Sequence, residues 1–160
     1  MKIGRISQSR HIEYEMQDAL QQYIEKQMIL KQAYPHFILE NITHCARELH
    51  IPETGRIADF VLLSGSRLVN VEAKCYATQK LIDQLDDHAK YADYCFAYIN
   101  DMTITPAWFK AELLQKGYGL IVYSVDHKIV TEVLEAHKNK NDKQARAEVV
   151  KLLKANSIIS

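Results

Sequence analysis

Apolar and polar positions recur along this chain with two different periods, and the changes of period mark its elements. Between residues 9 and 31, Ile12, Met16, Ala19, Leu20, Tyr23, Ile24 and Gln27 recur at three- and four-residue spacing. That spacing predicts a helix, with Ser7 or Ser9 as its cap. It should end before Tyr34-Pro35, because proline disfavours helix in the residue before it. Residues 36–45 (HFILENITHC) read as a strand, and 46–55 as a connection with turn signals at Pro52 and Gly55. RIADFVLLS (56–64) and RLVNVEAKC (67–75) read as two strands joined by a tight hairpin at Gly65-Ser66. Residues 78–92 return to the helical period, with Thr78 as N-cap and Leu81, Ile82, Leu85, His88, Ala89 and Ala92 as the inner stripe.

YCFAYIN (94–100) is a short apolar strand. It follows a helix, so a right-handed crossover to a parallel neighbour is expected. Thr105-Pro106 opens a third helix, with proline in its first turn, that ends near Gly117. Residues 118–125 form a further strand, and 128–134 pair with it after a turn at Asp126-His127. From His137 the chain is polar and lysine-rich, then amphipathic, with Ala145, Val149, Leu152 and Leu153 on one helical face. The order implies an α/β fold, a mixed sheet flanked by helices with an extra C-terminal helix. We divide the chain into a domain at 1–136 and a charged linker with terminal helix at 137–160. That helix would pack on its own domain or on a second subunit, forming a homodimer.

Composition narrows this picture modestly. The 160 residues suit one domain with a real core, and 48% hydrophobic with 25% charged residues is ordinary for a soluble globular protein. Cys45, Cys75 and Cys95 are an odd number without paired spacing, which points to free thiols in a reducing cytoplasm. Met1 to Arg10 is polar and unlike a secretory leader, and no apolar run is long enough for a membrane span. The expected location is cytoplasmic. Net charge is zero, so any phosphate-binding surface must come from local segregation of charge.

The chemistry lies in the predicted hairpin. Strict alternation puts Asp59 on one face with Ile57 and Val61, and Ala58, Phe60 and Leu62 on the other. Glu72 and Lys74 share a face, with Val69, Val71 and Ala73 opposed. A two-residue turn at Gly65-Ser66 sets position 59 opposite position 72, so two carboxylates become cross-strand neighbours in an apolar setting. Like charges there repel, and burial makes each costly. A divalent cation between them would remove the penalty. Hard oxygen ligands suit Mg²⁺ or Mn²⁺, and the Ala73 carbonyl is a further candidate ligand. Such an ion would polarise a phosphodiester and acidify a water, which Lys74 could orient or help deprotonate.

Asp59, twelve intervening residues, then Glu72-Ala73-Lys74, on two antiparallel strands before a helix, resembles the PD-(D/E)xK nuclease superfamily. The resemblance covers about residues 9–100 and is closest to compact single-domain members, VRR-NUC-like and MmcB-like DNA-repair nucleases. Ala58 stands where the family name has proline. The resemblance implies a restriction-endonuclease-like sheet, a metal-dependent nuclease activity and DNA as the preferred partner. It also implies a glutamate from the first helix at the metal site. Glu13 fits best, in a relaxed ExxxQxxL-like pattern through Gln17 and Leu20, and Glu15 is the rival. A glutamine on the helix after the lysine is common in the family. Gln84 takes that place, although His88 stands where a QxxxY pattern would put tyrosine.

Other residues carry blander expectations. His44, Cys45 and His50 match no standard zinc spacing. Tyr91, Tyr94 and Tyr98 read first as core and secondly as a base-stacking platform. Arg56, Arg67, Lys80 and Lys90 flank the site and read as a solvated face or as phosphate contacts, and Lys138, Lys140, Lys143, Lys151 and Lys154 could also touch nucleic acid. The expected function is a metal-dependent nuclease. The alternative is a catalytically silent module of the same fold that binds nucleic acid or a protein.

Overall fold

The computed structural model describes residues 2–26, 30–31 and 39–159. In chain order the elements are α1 (Lys2–Lys26), β1 (Leu30–Lys31), β2 (Ile42–Ile51), β3 (Arg56–Ser64), β4 (Arg67–Ala73), α2 (Gln79–His88), β5 (Tyr94–Asn100), α3 (Ala107–Lys116), β6 (Gly119–Ser124), β7 (Ile129–Leu134) and α4 (Lys143–Asn156). The fold is mixed α/β. The sheet is open, in the order β1-β7-β6-β5-β4-β3-β2. Six strands form its body, and the two-residue β1 extends one edge, parallel to β7. The meander β2-β3-β4 is antiparallel, β4, β5 and β6 run parallel, and β7 returns antiparallel to β6. No helix among the described residues is long and apolar enough to cross a membrane.

The sheet separates two cores. On one side Met16, Leu20 and Ile24 of α1 meet Phe60, Leu62, Val69, Val71, Phe96 and Tyr98. On the other, Leu81 and Leu85 of α2, Phe109 and Leu113 of α3, and Val149 and Leu153 of α4 meet Val61, Leu68, Ala97 and Leu120. A parallel strand covered on both faces needs an unbroken apolar run, and β5 from Cys95 to Ile99 is buried throughout. Helix ends follow their sequence signals. Thr78 Oγ1 accepts from Leu81 N–H at 3.3 Å, Asp142 accepts from Ala145 N–H at 2.9 Å, and α3 closes on Gly117 at φ 76°.

Several boundaries differ from the sequence reading. Helix α1 begins at Lys2, so Ser7 and Ser9 lie inside it rather than at its cap. It ends at Lys26, and Leu30–Lys31 pairs with Thr131 and Glu132 as strand. Tyr34-Pro35 and residues 36–38 lie outside the described residues. Strand β2 starts at Ile42 and continues through the predicted connection to Ile51. Its alternation is broken at Glu48, whose φ is 52°, and this puts Ala46, Leu49 and Ile51 in one core. Helix α2 stops at His88 rather than Ala92, and Pro106 caps α3 from just outside rather than within its first turn. The hairpin turn, β5 and the parallel crossover stand as predicted, but β4 ends at Ala73 rather than Cys75, which leaves Lys74 just past the strand.

The segment after residue 136 is tied to the sheet domain. Asn139 N–H donates to Asp93 C=O at 2.7 Å, Asp142 N–H to Lys90 C=O at 2.7 Å, and Ile158 N–H to Cys45 C=O at 2.7 Å. With Val149 and Leu153 fully buried, the apolar stripe of α4 is covered by its own domain.

Gly119 opens β6 where strands approach closely. A Cβ there would sit 2.4 Å from the Phe96 ring and 2.8 Å from the Leu134 carbonyl oxygen. Gly119→Ala should therefore destabilise the protein by about 2 kcal/mol or more and lower Tm by at least about 5 °C in a thermal melt. An unchanged Tm would show that the strand tolerates the side chain.

Candidate functional site

The β3–β4 ladder pairs Ser64 with Arg67 through to Phe60 with Val71, the register the hairpin predicts. One step further, where Asp59 and Glu72 would pair, side chains supply the contacts. Ala73 N–H donates to Asp59 Oδ2 at 2.8 Å, and Asp59 N–H donates to Glu72 Oε2 at 3.0 Å. Each carboxylate thus holds a backbone amide of the other's strand. Strict alternation fails here. Ala58 joins the core of Val61 rather than that of Phe60, and Ile57 is exposed. The cause is local: Ala58 pairs with Leu49 and Phe60 with Arg47, on either side of the left-handed Glu48.

Glu72 is 2% exposed. Its Oε2 also accepts from Asn70 Nδ2 at 2.8 Å, and its Oε1 lies 3.6 Å from His88 Nε2, too long for a hydrogen bond. His88 is fully buried, and its Nδ1 lies 2.8 Å from the hydroxyl of Tyr91, also fully buried. Burial pushes the Tyr91 hydroxyl well above its usual range, so it keeps its proton. Where that hydroxyl donates to Nδ1, a neutral imidazole carries its hydrogen on Nε2, the nitrogen on the Glu72 side. Asn70 Oδ1, Gln84 Oε1 and His88 Nε2 are buried without a hydrogen-bond partner.

Burial raises Asp59 most, the Glu72 charge raises it further, and the Ala73 N–H and Lys74 only partly oppose them, leaving its pKa at about 7. Glu13 adds a smaller upward push, so Lys74 and Glu13 both act on Asp59. Glu13 is delivered by α1, and its Oε1 accepts Cys75 N–H at 3.1 Å, just past Lys74. Glu15 points elsewhere, to the Tyr123 hydroxyl at 2.8 Å and Lys128 Nζ at 3.0 Å. Gln17 turns to β2, where its Oε1 accepts from Arg47 at 3.0 Å.

The donor set of Asp59, Glu72, Glu13 and the Ala73 carbonyl is all oxygen, which fits a hard divalent cation. The carboxylates are nonetheless engaged with backbone amides, and among the described residues no group of three or more His, Cys, Asp or Glu side chains is arranged to hold a metal ion. His44 contacts Thr43, and Cys45 is buried with its thiol pushed up to about 12 by desolvation. Tyr91 and Tyr98 are fully buried, with the Tyr98 hydroxyl on the Met16 carbonyl at 2.8 Å, so they are core and not a platform for bases. Arg56 pairs with Asp87, and Arg67 starts β4 at the end remote from Glu72. The residue that sequence reasoning left out is Asn70, and His88 and Tyr91, read mainly as packing residues, stand behind Glu72 as a hydrogen-bonded pair. Asn70 shares the Glu72 face two positions earlier, and His88 follows Gln84 by one helical turn.

No protein-family model matches the chain, and neither does any curated protein. One solved structure, the SPO1766 protein of unknown function from Silicibacter pomeroyi, is 19% identical over 69% of this chain and 71% of that one, with a TM-score of 0.50. That likeness speaks for the fold alone.

The raised pKa of Asp59 has a consequence for stability. An acid whose folded pKa lies above its ordinary 3.8 stabilises the fold fully below about pH 4, and that contribution is lost as pH rises through about 7. Asp59→Asn keeps an acceptor for Ala73 and removes the titration. At pH 8 without divalent ions it should be more stable than the parent by ~2–4 kcal/mol in urea unfolding, at roughly 1.4 kcal/mol per pKa unit. Near pH 4 the two should coincide. A variant less stable at pH 8 would contradict the assignment.

Proposed function

We propose that the chain is a metal-dependent nuclease of the PD-(D/E)xK type, with a restriction-endonuclease-like sheet, that hydrolyses phosphodiester bonds in DNA with Mg²⁺ or Mn²⁺. The observation that carries the reading is the crossed pair at the end of the hairpin. Asp59 and Glu72 hold each other's strands, and Lys74 and Glu13 act on the same carboxylate. DNA rather than RNA comes from the family resemblance.

On this reading Asp59 and Glu72 would hold the ion, assisted by Glu13 and the Ala73 carbonyl. Bound Mg²⁺ would polarise the scissile phosphate and lower the pKa of a water. Lys74 Nζ orients the attacking water, takes part in moving its proton and stabilises charge on the phosphate oxygens. Asn70 fixes the rotamer of Glu72 from its own strand. Gln84 lies on α2 one turn before His88, with its Oε1 buried and unpartnered. The buried floor around Glu72 excludes bulk water, which strengthens every charge interaction there.

One observation favours the silent-module alternative. The Asp59, Glu72 and Glu13 carboxylates each already accept a backbone N–H, so the chain itself compensates part of their burial. Incubation with linear, circular and branched DNA, with and without Mg²⁺ or Mn²⁺, separates the two readings. Glu72→Ala and Lys74→Ala should each lower cleavage by at least ~100-fold with the circular dichroism spectrum unchanged. Full activity in both variants would refute the nuclease. Mn²⁺ that fails to bind near Asp59 would favour the silent module.

A further inference from the structure

Net charge is zero, so cations can gather in one place only where acids are engaged in another. They gather at the hairpin end of β4. A groove of about 480 Å³ opens there, lined among others by Ser66, Arg67, Asp93, Lys138, Lys143 and Arg146. Arg67, Lys138 and Lys143 are exposed, and they come from three separate pieces of chain: the start of β4, the segment before α4, and the first turn of α4.

The acid in this lining is fully occupied. Asp93 is buried, and its carboxylate accepts Leu68 N–H at 2.8 Å, Asn141 Nδ2 at 2.8 Å, Arg146 Nε at 3.0 Å and Arg146 Nη2 at 2.9 Å. Arg146 Nη2 also donates to the Ser66 carbonyl at 2.7 Å. The guanidinium is therefore fixed across the groove between α4 and the hairpin, with little rotamer freedom left to lose on binding. An adjoining groove of about 330 Å³ shares Ser66 and Arg67 and adds one acid, Glu40. The N-cap Asp142 engages its side chain with Ala145 N–H at 2.9 Å.

This surface is separate from the candidate active site. Arg67 and Glu72 are five positions apart on an extended strand, ~17 Å at about 3.3 Å per residue. The cations line a groove that is open to solvent rather than an enclosed cavity. That arrangement suits a chain of phosphates better than a single small anion.

We propose that this groove is a phosphate-contacting surface for a nucleic-acid strand, distinct from the catalytic pair, with Arg67, Lys138 and Lys143 neutralising successive phosphates and Arg146 setting the floor. It extends the nuclease reading to a second contact on the same substrate, yet it is decided by a separate measurement. The full-length chain is kept in EDTA, so no cleavage enters. Binding of a labelled duplex and of a labelled single strand is followed by fluorescence anisotropy between 50 and 200 mM salt.

Combined Arg67→Ala, Lys138→Ala and Lys143→Ala substitution should weaken duplex binding at least about tenfold and flatten the plot of log affinity against log salt by about 2–3, close to 0.9 per phosphate contact. Lys151→Ala with Lys154→Ala, exposed on the same helix outside this lining, should leave both unchanged. The proposal fails if the triple variant binds like the parent. It also fails if the control pair weakens binding equally, or if millimolar inorganic phosphate binds the groove while neither oligonucleotide competes. Cleavage assayed separately in Mg²⁺ keeps the two readings apart. A groove variant that binds normally while Glu72→Ala abolishes cutting removes the groove alone, and the converse pattern removes the nuclease alone.

Discussion

Where the β3–β4 ladder gives way, two carboxylates take over the backbone amides that the ladder would otherwise have used. Asp59 holds Ala73 and Glu72 holds Asp59. An isolated buried carboxylate costs several kcal/mol, and a hydrogen bond to a charged acceptor returns about 1.5–3 kcal/mol. Two amides, Asn70 and a nearby lysine offset much of the cost but leave a remainder, which appears as the upward push on Asp59. The hairpin carries the site, and the site's two crossed hydrogen bonds extend the hairpin past its last ladder pair. The upward push leaves the Asp59 carboxyl part-protonated near neutrality.

The rest of the fold keeps that remainder from being relieved by water. Glu72 lies next to Ala97 of β5 in the parallel register, so its strand is interior and covered on both faces. Helix α2 returns over this strand and sets His88 behind the carboxylate, and the Tyr91 hydroxyl orients the imidazole. From the other face α1 brings Glu13 to the Cys75 amide, just beyond Lys74. Three elements thus converge on four residues of β4 and its continuation. That convergence requires the chain to pass from an antiparallel meander into a parallel crossover at β4.

Short-range signals were legible in the sequence, and long-range ones were not. Gly65 at φ 61° and the two-residue turn fix the hairpin register, so the apposition of Asp59 and Glu72 followed from counting. Thr78, Pro106 and Gly117 marked helix ends for equally local reasons. The side of the sheet taken by Ala58 was hidden, because it depends on a left-handed residue, Glu48, whose side chain gives no sign of it. Strand β1 has only two residues, and its pairing partner lies a hundred positions away, so its helical surroundings outweighed it. Glu13 and Glu15, two residues apart on one helix, face different neighbours, Cys75 and Tyr123. His88 read as a packing residue because nothing in a single helix reveals that a strand opposite carries Glu72.

Charge illustrates the same division between total and arrangement. A sum of zero left any phosphate surface to local segregation of charge, and the sum does not record which acids face solvent. Asp87 is engaged by Arg56, Asp86 by Lys116, Asp18 by Arg47 and Glu15 by Lys128. Asp93 lies beneath Arg146, and Glu72 and Asp59 are turned inward. Exposed pairs of this kind contribute little to stability, typically under ~1 kcal/mol each. Their larger effect is on the field: an acid matched to its own cation no longer screens a neighbouring one. The field along the rim of Arg67, Lys138 and Lys143 is therefore set by local pairing, and a chain of no net charge can still present a cationic edge. Glu72 is held apart from that edge by the length of a strand, and Asp93, the buried acid beneath it, is matched to Arg146.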